Sequence, residues 1–444
     1  MDWPSLPRPG AAAVDPGVAG VVRAGIVVTG TEVLTGRIAD RNGPWISERL
    51  AELGIDVAHI LVVGDRHEDL DAALRFMAGE EMDLIVTSGG LGPTADDLTA
   101  EIVAQFAGRE MVLDEEVEGK IERILSDFAR RFDLDEEAMR AANRKQAMVP
   151  VGAIPLDPVG TAPGLVVPAG ERVVVVLPGP PRELQPMWPV AMRAEPVTAV
   201  TERATALHGY TLRMFGIPES EIAKSLREIE AEGTAVPEVE ITTCLRKGEI
   251  EIDVRYRGEA QRTAEAVREG LARRHARHLF SLDGETIDSQ VARLLESRRL
   301  GLAESCSGGL LAARITDLPG ASSYMAGGVV AYSNQAKSRL LGIDSHLIAR
   351  HGAVSLEVAE AMSRGALERF EADVAVAITG IAGPEGGGEE KPVGYVCFDA
   401  RLADGTSIAR DPVIPGGRAD VRERSALVGL HLLRMLLGDG EAGL

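Results

Sequence analysis

Short apolar runs alternate with amphipathic stretches along most of the chain. Val21–Val28, Val57–Val63 and Leu84–Thr87 are short runs rich in β-branched and aliphatic residues, broken by a charged or polar side chain only at Arg23 and His59, and Gly43–Leu53 and Asp69–Ala78 between them repeat apolar residues with helical spacing. Strands buried on both faces and covered by helices read this way, so a parallel α/β sheet is predicted from Val21. A helix from about Ala95 to Phe106, a charged helical stretch from Glu115 to Lys145 and a strand Arg172–Leu177 follow, and Pro178-Gly179-Pro180-Pro181 stops that strand. Between Ala204 and Leu282 the pattern changes. A strand Tyr210–Phe215, a helix Glu219–Glu230, a strand Gly248–Tyr256 and a helix Ala260–His275 are expected; Ile250, Ile252, Val254 and Tyr256 alternate with Glu251, Asp253 and Arg255, which marks a half-exposed antiparallel strand in a small α+β module. A helix Ser289–Ser297 then leads into a second α/β region that runs to Leu437. The expected organisation is a disordered leader at 1–20, an α/β domain at 21–200, the α+β module at 201–284 and an α/β domain at 285–444.

Charge narrows the partners. The 444 residues carry 68 Asp and Glu against 47 Lys and Arg, a formal net charge of −21. Affinity for nucleic acid rests on clustered Lys and Arg, so no nucleic-acid partner is expected. Cys244, Cys306 and Cys397 are odd in number and far apart, which suits neither a disulfide framework nor a zinc site and fits a reducing cytoplasm. The first 20 residues lack a basic stretch followed by an apolar run, and no uninterrupted apolar segment could span a bilayer. A cytoplasmic protein without a membrane partner is expected.

Candidate chemistry concentrates at three junctions in the last third. Leu300-Gly301-Leu302-Ala303-Glu304-Ser305-Cys306-Ser307-Gly308-Gly309 places a hydroxyl where a strand breaks into a small-residue helix start, and Val329-Val330-Ala331-Tyr332-Ser333-Asn334-Gln335-Ala336-Lys337 delivers a tyrosine and a lysine from a second junction. A third apolar run, Val374–Ile378, opens into Thr379-Gly380-Ile381-Ala382-Gly383-Pro384-Glu385-Gly386-Gly387-Gly388, a loop whose amides can approach an anion closely. Each residue has an ordinary reading: Ser305 as an N-cap, Tyr332 as a core aromatic with a wet hydroxyl, Lys337 on the solvated face of a short helix ending at Gly342. Together they suggest an acyl-transfer site in which Lys337, its pKa lowered by burial or a neighbouring cation, takes the Ser305 proton directly or through Tyr332. Backbone amides at the helix start after Ser305 are expected to hold the oxyanion.

The N-terminal region has its own loop. Asp83-Leu84-Ile85-Val86-Thr87-Ser88-Gly89-Gly90-Leu91-Gly92-Pro93-Thr94-Ala95-Asp96-Asp97-Leu98-Thr99 is a strand, a glycine turn and a helix start that would suit a phosphate. Thr94 and Asp97 have capping-box spacing, which accounts for one carboxylate and leaves the other. Thr29-Gly30-Thr31-Glu32, Asp40, Asn42 and Gly64-Asp65 end neighbouring strands, so they are expected on the same rim. Gly30, Glu32, Asn42, Ser88, Gly89, Gly90, Gly92 and Thr99 are the expected ligand contacts. Asp65, Asp96 and Asp97 are the candidate ligands of a divalent metal ion.

These strings resemble a known family. TGTEVLTGRIADRNG and TSGGLGPTADDLT resemble the molybdopterin-binding fold, AESCSGG, YSNQAK and TGIAGPEGG with KPVG look like a nicotinamide-nucleotide amidase domain, and their order with a small module between is that of the CinA family. The resemblance runs from Val21 to Leu437. It implies a molybdopterin-binding-like N-terminal domain, a KH-like central module and a C-terminal amidase that converts nicotinamide mononucleotide to nicotinate mononucleotide and ammonia, with Ser305 as nucleophile beside Lys337 and Tyr332. No cofactor is needed for that step. Glu304, Cys306, Ser307, Gly308, Thr379, Gly380 and Gly383 are the implied substrate contacts, with Cys306 serving packing or oxyanion geometry. It further implies a metal-dependent ADP-ribose pyrophosphatase in the N-terminal domain; the alternatives there are molybdopterin or nucleotide binding without turnover, or a ligand sensor. The chain departs from the family pattern at Thr31 and Gly43, where Asp and Ser are common, and a homo-oligomer is expected.

Overall fold

The computed structural model describes residues 21–129, 143–246 and 248–438. The expected leader, the part of the Glu115–Lys145 stretch at 130–142 and nearly all of the tail lie outside the described residues. The chain divides after His208 into two compact units.

The first unit is built on a six-stranded sheet. β1 (Arg23–Thr29), β2 (Asp56–Val63), β3 (Leu84–Ser88), β6 (Ile154–Leu156), β7 (Gly164–Ala169) and β8 (Arg172–Leu177) lie in the order β2-β1-β3-β8-β7-β6; β4 (Met111–Leu113) and β5 (Met148–Pro150) form a separate antiparallel pair. The first four of the six are parallel, as the alternation with helices requires, whereas β7 runs back against β8 and β6 runs back against β7. The sheet is therefore mixed rather than parallel throughout. Only Gly170 and Glu171 separate β7 from β8, a two-residue hairpin with Gly170 at φ 68°, and so short a link cannot make a parallel crossover. Alternate residues of the central strands enter opposite cores: Ile26, Val28, Val86 and Val175 meet Ile46, Leu50, Leu184 and Trp188, while Val27, Ile85 and Val174 meet Leu70, Leu74, Met77 and Ile102. The prolines after β8 do more than stop it, since Pro181 begins a helix, Pro181–Ala191. The helix expected from Ala95 starts at Thr99 instead. Asp97 accepts the amide and hydroxyl of Thr94, but this closes a turn ahead of the helix rather than capping it, and Thr99 N bonds to Gly90 O.

The second unit holds two sheets. β9 (His208–Phe215), β10 (Glu240–Arg246), β11 (Glu249–Tyr256) and β12 (Leu279–Ser281) form one in the order β10-β11-β9-β12, with Ile250, Ile252 and Val254 fully buried on β11. The edge strand β10 was not anticipated; its Glu-Ile-Thr-Thr-Cys-Leu-Arg sequence is mostly exposed and too polar to read as a buried strand. β13 (Leu300–Glu304), β14 (Met325–Val330), β15 (Val374–Gly380), β16 (Val396–Leu402) and β17 (Ser407–Arg410) form the other, β14-β13-β15-β16-β17, in which β13 is parallel to both neighbours. Helix Leu356–Phe370 packs on one face through Val358, Met362 and Ala366, and helix Arg418–Leu437 on the other through Val421, Leu427 and Leu430. That last helix also meets the smaller sheet. His431 is fully buried, stacked on Phe215 at 3.8 Å, with Nε2 2.7 Å from Glu249 Oε1. No helix among the described residues is long and apolar enough to cross a membrane.

Candidate functional site

Parallel pairing fixes where the C-terminal chemistry collects. Glu304 pairs with Val330 on one side and Ile378 on the other, so Ser305 and Ala331 leave the sheet beside Thr379 near the carboxyl end of β15. There a cavity of about 250 Å³ is lined by residues that include Ser305, Cys306, Tyr332, Lys337, the Thr379–Gly383 loop and Arg418. Helix Asn334–Leu341, capped by the Ser333 side chain and ended by left-handed Gly342, brings Lys337 in from the side.

Lys337 is 1% exposed, far from a solvated face. Its Nζ lies 2.8 Å from Ser305 Oγ and 2.9 Å from Ala331 O, and among the described residues no carboxylate pairs with it. Burial lowers its pKa to about 8, against a small opposing pull from Cys306. When neutral, the amine accepts the Ser305 proton along the same 2.8 Å line and keeps an N–H for Ala331 O. Burial pushes the neighbouring Cys306 thiol up to about 12, which leaves it a poor rival nucleophile. Ser305 is not an N-cap, because the following helix, Leu310–Thr316, begins five residues later behind left-handed Gly308 and Gly309.

Several expected contacts fall elsewhere. Tyr332 lines the cavity, but it is 57% exposed and its hydroxyl accepts from Arg418 at 2.8 Å, so it does not bridge a Lys337–Ser305 pair already in direct contact. Glu304 turns away from the cavity: its carboxylate accepts the amides of Gly309, Leu311 and Ala312 and the Ser307 hydroxyl. This corrects three expectations. Glu304 and Ser307 support the turn instead of lining the cavity, the helix-start amides are already occupied, and Gly308 lies against Arg422. Thr379 and Gly380 do line it, with Thr379 Oγ1 anchored on Ala353 O; a Cβ at Gly380 would come 3.0 Å from Cys306 Sγ. Gly383 lines it too, and its carbonyl accepts from Arg418 at 2.7 Å. Arg418 was missed because it begins the last helix, far in sequence from every motif; the only hint was a cation directly after Gly416-Gly417.

In the first unit a cavity of about 350 Å³ is lined by Gly30, Glu32, Asp65, Gly89, Gly90, Gly92, Asp96, Asp97, Glu183 and their neighbours. An adjoining cleft of about 610 Å³ shares Thr29, Glu32, Gly179 and Pro180 with it and takes in Arg37, Arg41, Asn42 and Ser88. Asn42, the first residue of helix Asn42–Glu52, is buried and donates to Ser88 Oγ and Gly179 O, pinning the helix start to the ends of β3 and β8. Thr99 lies under the glycine loop, where a Cβ on Gly90 would collide with its Oγ1. The expected rim therefore forms, divided between two neighbouring clefts. Among the described residues the lining of the first cavity has five carboxylates and no cationic side chain. Asp65 accepts the Thr31 amide at 2.8 Å, and Asp96 and Asp97 both accept the Thr94 hydroxyl, which helps to hold the Asp96 carboxyl below its ordinary range. Burial raises Glu183, a residue the sequence reading passed over. Among the described residues no three acids, histidines or cysteines converge as a metal-ligand set, so Asp65, Asp96 and Asp97 do not fit a bound ion as they stand.

Comparison with known proteins follows the same division. A family described as the CinA C-terminal domain matches residues 284–437, and one described as a probable molybdopterin binding domain matches residues 25–196. The chain is 58% identical over 420 residues to a CinA-like protein of Mycolicibacterium vanbaalenii, across 94% of this chain and 99% of the relative. It is 56% identical over 419 residues to a CinA-like protein of Mycobacterium tuberculosis, across 94% and 97%. A solved structure of competence/damage inducible protein CihA from Agrobacterium tumefaciens is 36% identical over 35% of this chain and 99% of its own, with a TM-score of 0.33.

Proposed function

The chain belongs to the CinA family and carries a molybdopterin-binding-like N-terminal domain, and on that premise we propose that its C-terminal cleft hydrolyses the carboxamide of nicotinamide mononucleotide to nicotinate mononucleotide and ammonia. The observation that carries this reading is the 2.8 Å contact between buried Lys337 and Ser305. Neutral Lys337 takes the hydroxyl proton as Ser305 Oγ bonds to the carboxamide carbon. The tetrahedral intermediate then breaks its C–N bond, and the Lys337 ammonium returns the proton to the departing ammonia. A water molecule attacks the acyl-enzyme, Lys337 takes one of its protons and passes it to Ser305 Oγ as the acyl C–O bond breaks, and the freed carboxylic acid gives its remaining proton to solvent to become the carboxylate. Arg418, with its guanidinium at the cavity wall, is the cation that would hold the 5′-phosphate beside the Gly380–Gly388 loop. Product analysis by mass spectrometry of the full chain with the mononucleotide tests the reading. Nicotinate mononucleotide and ammonia should appear in equal amounts and vanish in Ser305→Ala; no product from the unsubstituted protein overturns it.

For the N-terminal cavity we propose binding of a phosphorylated nucleotide such as ADP-ribose, which would enter with its own divalent cation. Five lining carboxylates would repel a bare diphosphate, and the unassembled ligand set favours binding over pyrophosphate cleavage. Thermal-shift measurements with ADP-ribose and with molybdopterin, each with and without magnesium, test this. Stabilisation by ADP-ribose only with magnesium and without release of AMP supports it, and release of AMP would assign the pyrophosphatase instead.

A further inference from the structure

A buried carboxylate next to a nucleophile ordinarily suggests a partner for the base, yet Glu304 has no bond to Lys337. It is 1% exposed, and among the described residues the groups that bond to its carboxylate all belong to the segment after Ser305. Oε2 takes the Ser307 hydroxyl at 2.6 Å and the amides of Gly309 and Leu311 at 3.1 Å; Oε1 takes the amide of Ala312 at 2.9 Å. Gly308 N is bound to Ser305 O, and the Ser307 carbonyl is held by Arg422 at 3.1 Å. Among the described residues this leaves two amides of the turn, those of Cys306 and Ser307, without a bond to oxygen. Both lie within reach of the Cys306 sulfur, a weak acceptor that an oxyanion would readily replace.

We propose that Glu304 is a positioning residue: by occupying the amides of Gly309, Leu311 and Ala312 and the Ser307 hydroxyl, it fixes the turn so that the amide of Cys306, a residue that lines the cavity, serves as the oxyanion site. The assignment rests on the amidase reading and deepens it. The carboxylate takes up the positive end of a two-turn helix, so charge developing on the substrate oxygen meets a local donor whose direction the turn sets. Such a donor acts only if it is already aligned when the charge forms.

The test compares Glu304→Gln and Ser307→Ala with the unsubstituted full chain, using nicotinamide mononucleotide and its pyridine-3-carboxaldehyde analogue, which forms a hemiacetal with a serine. Glu304→Gln places an amide donor against backbone N–H groups and should lower kcat about 100-fold, the scale of losing an oxyanion donor, with KM within about twofold. Inhibition by the aldehyde should weaken by a similar factor, while the ionisation of Lys337 in the pH profile stays in place. Ser307→Ala removes one of four donors and should lower kcat about threefold to tenfold on the same basis, and Ser307→Thr should keep it. If Glu304→Gln does not fold, the Ser307 pair carries the test. Unchanged kcat in the folded variants, or a rise in KM that accounts for the whole loss, overturns the role of Glu304. Absence of turnover in the unsubstituted chain overturns the amidase reading itself, so the two failures are distinct.

Discussion

At the scale of single residues the site turns on Lys337. With a pKa near 8, roughly a tenth of it is neutral at pH 7, so log kcat/KM should rise with unit slope and level off near pH 8. Lys337→Arg should be inactive across that range, because a guanidinium stays protonated. The same group costs stability. Its pKa falls from 10.5 in the unfolded chain to about 8 in the fold, so between these values the unfolded state binds more protons and stability rises with pH. Lys337→Met should therefore raise Tm at pH 7, with the gain fading from pH 8 to 10.5, which calorimetry at three pH values would measure. Arg418 has a different signature. Arg418→Ala should lower kcat/KM for the mononucleotide by at least tenfold and leave nicotinamide riboside hydrolysis nearly unchanged, since only the former offers a phosphate; an equal loss for both would make Arg418 a structural support of the Gly383 loop.

Elements decide whether these residues meet. Helix Asn334–Leu341 carries Lys337 and lies against helix Leu356–Phe370 at Gly365, where a Cβ would stand 2.2 Å from Leu341 O. Gly365→Ala should therefore push the lysine helix outward, costing about 1–3 kcal/mol of stability as an overpacked contact does and most of the ammonia release. A circular-dichroism melt and a rate assay together would check both halves. The elements that read clearly in the sequence were those with an internal period: β11, with Ile250, Ile252 and Val254 inward, and the apolar β13 and β15. The Ser305 and Lys337 junctions read clearly because Ser305 directly follows a strand and Lys337 lies on the helix that follows the neighbouring strand. What escaped depends on distance or on an edge. β10 is polar because it is exposed, β7 reverses because of a two-residue hairpin, and Arg418 reaches the cavity only through the packing of the last helix. Glu304 misled for another reason, since a motif shows that a carboxylate is adjacent and not which way it turns.

In the whole molecule, the two candidate sites belong to separate compact units, and every residue named around Ser305 lies in the second. Residues 209–444 alone should retain ammonia release at the full-length rate. A fragment beginning at Thr286 should be much less stable. It would lose Glu249, Phe215 and Phe280 from around His431 and expose an apolar seam on the helix that also carries Arg418. Thermal melts and rates for the two fragments would test this, and equal stability would show that the small sheet adds nothing to the C-terminal fold.

The suppressed thiol of Cys306 also bears on the chemical durability of the protein. A thiol with a pKa near 12 is ionised in only about one molecule in 10⁵ at neutral pH, and peroxides and alkylating agents react with the thiolate. A serine enzyme with a cysteine touching its nucleophile would ordinarily be easy to poison. Here iodoacetamide should label exposed Cys244, spare Cys306 and leave hydrolysis intact, so that the catalytic turn keeps working through oxidative stress that would silence a cysteine amidase.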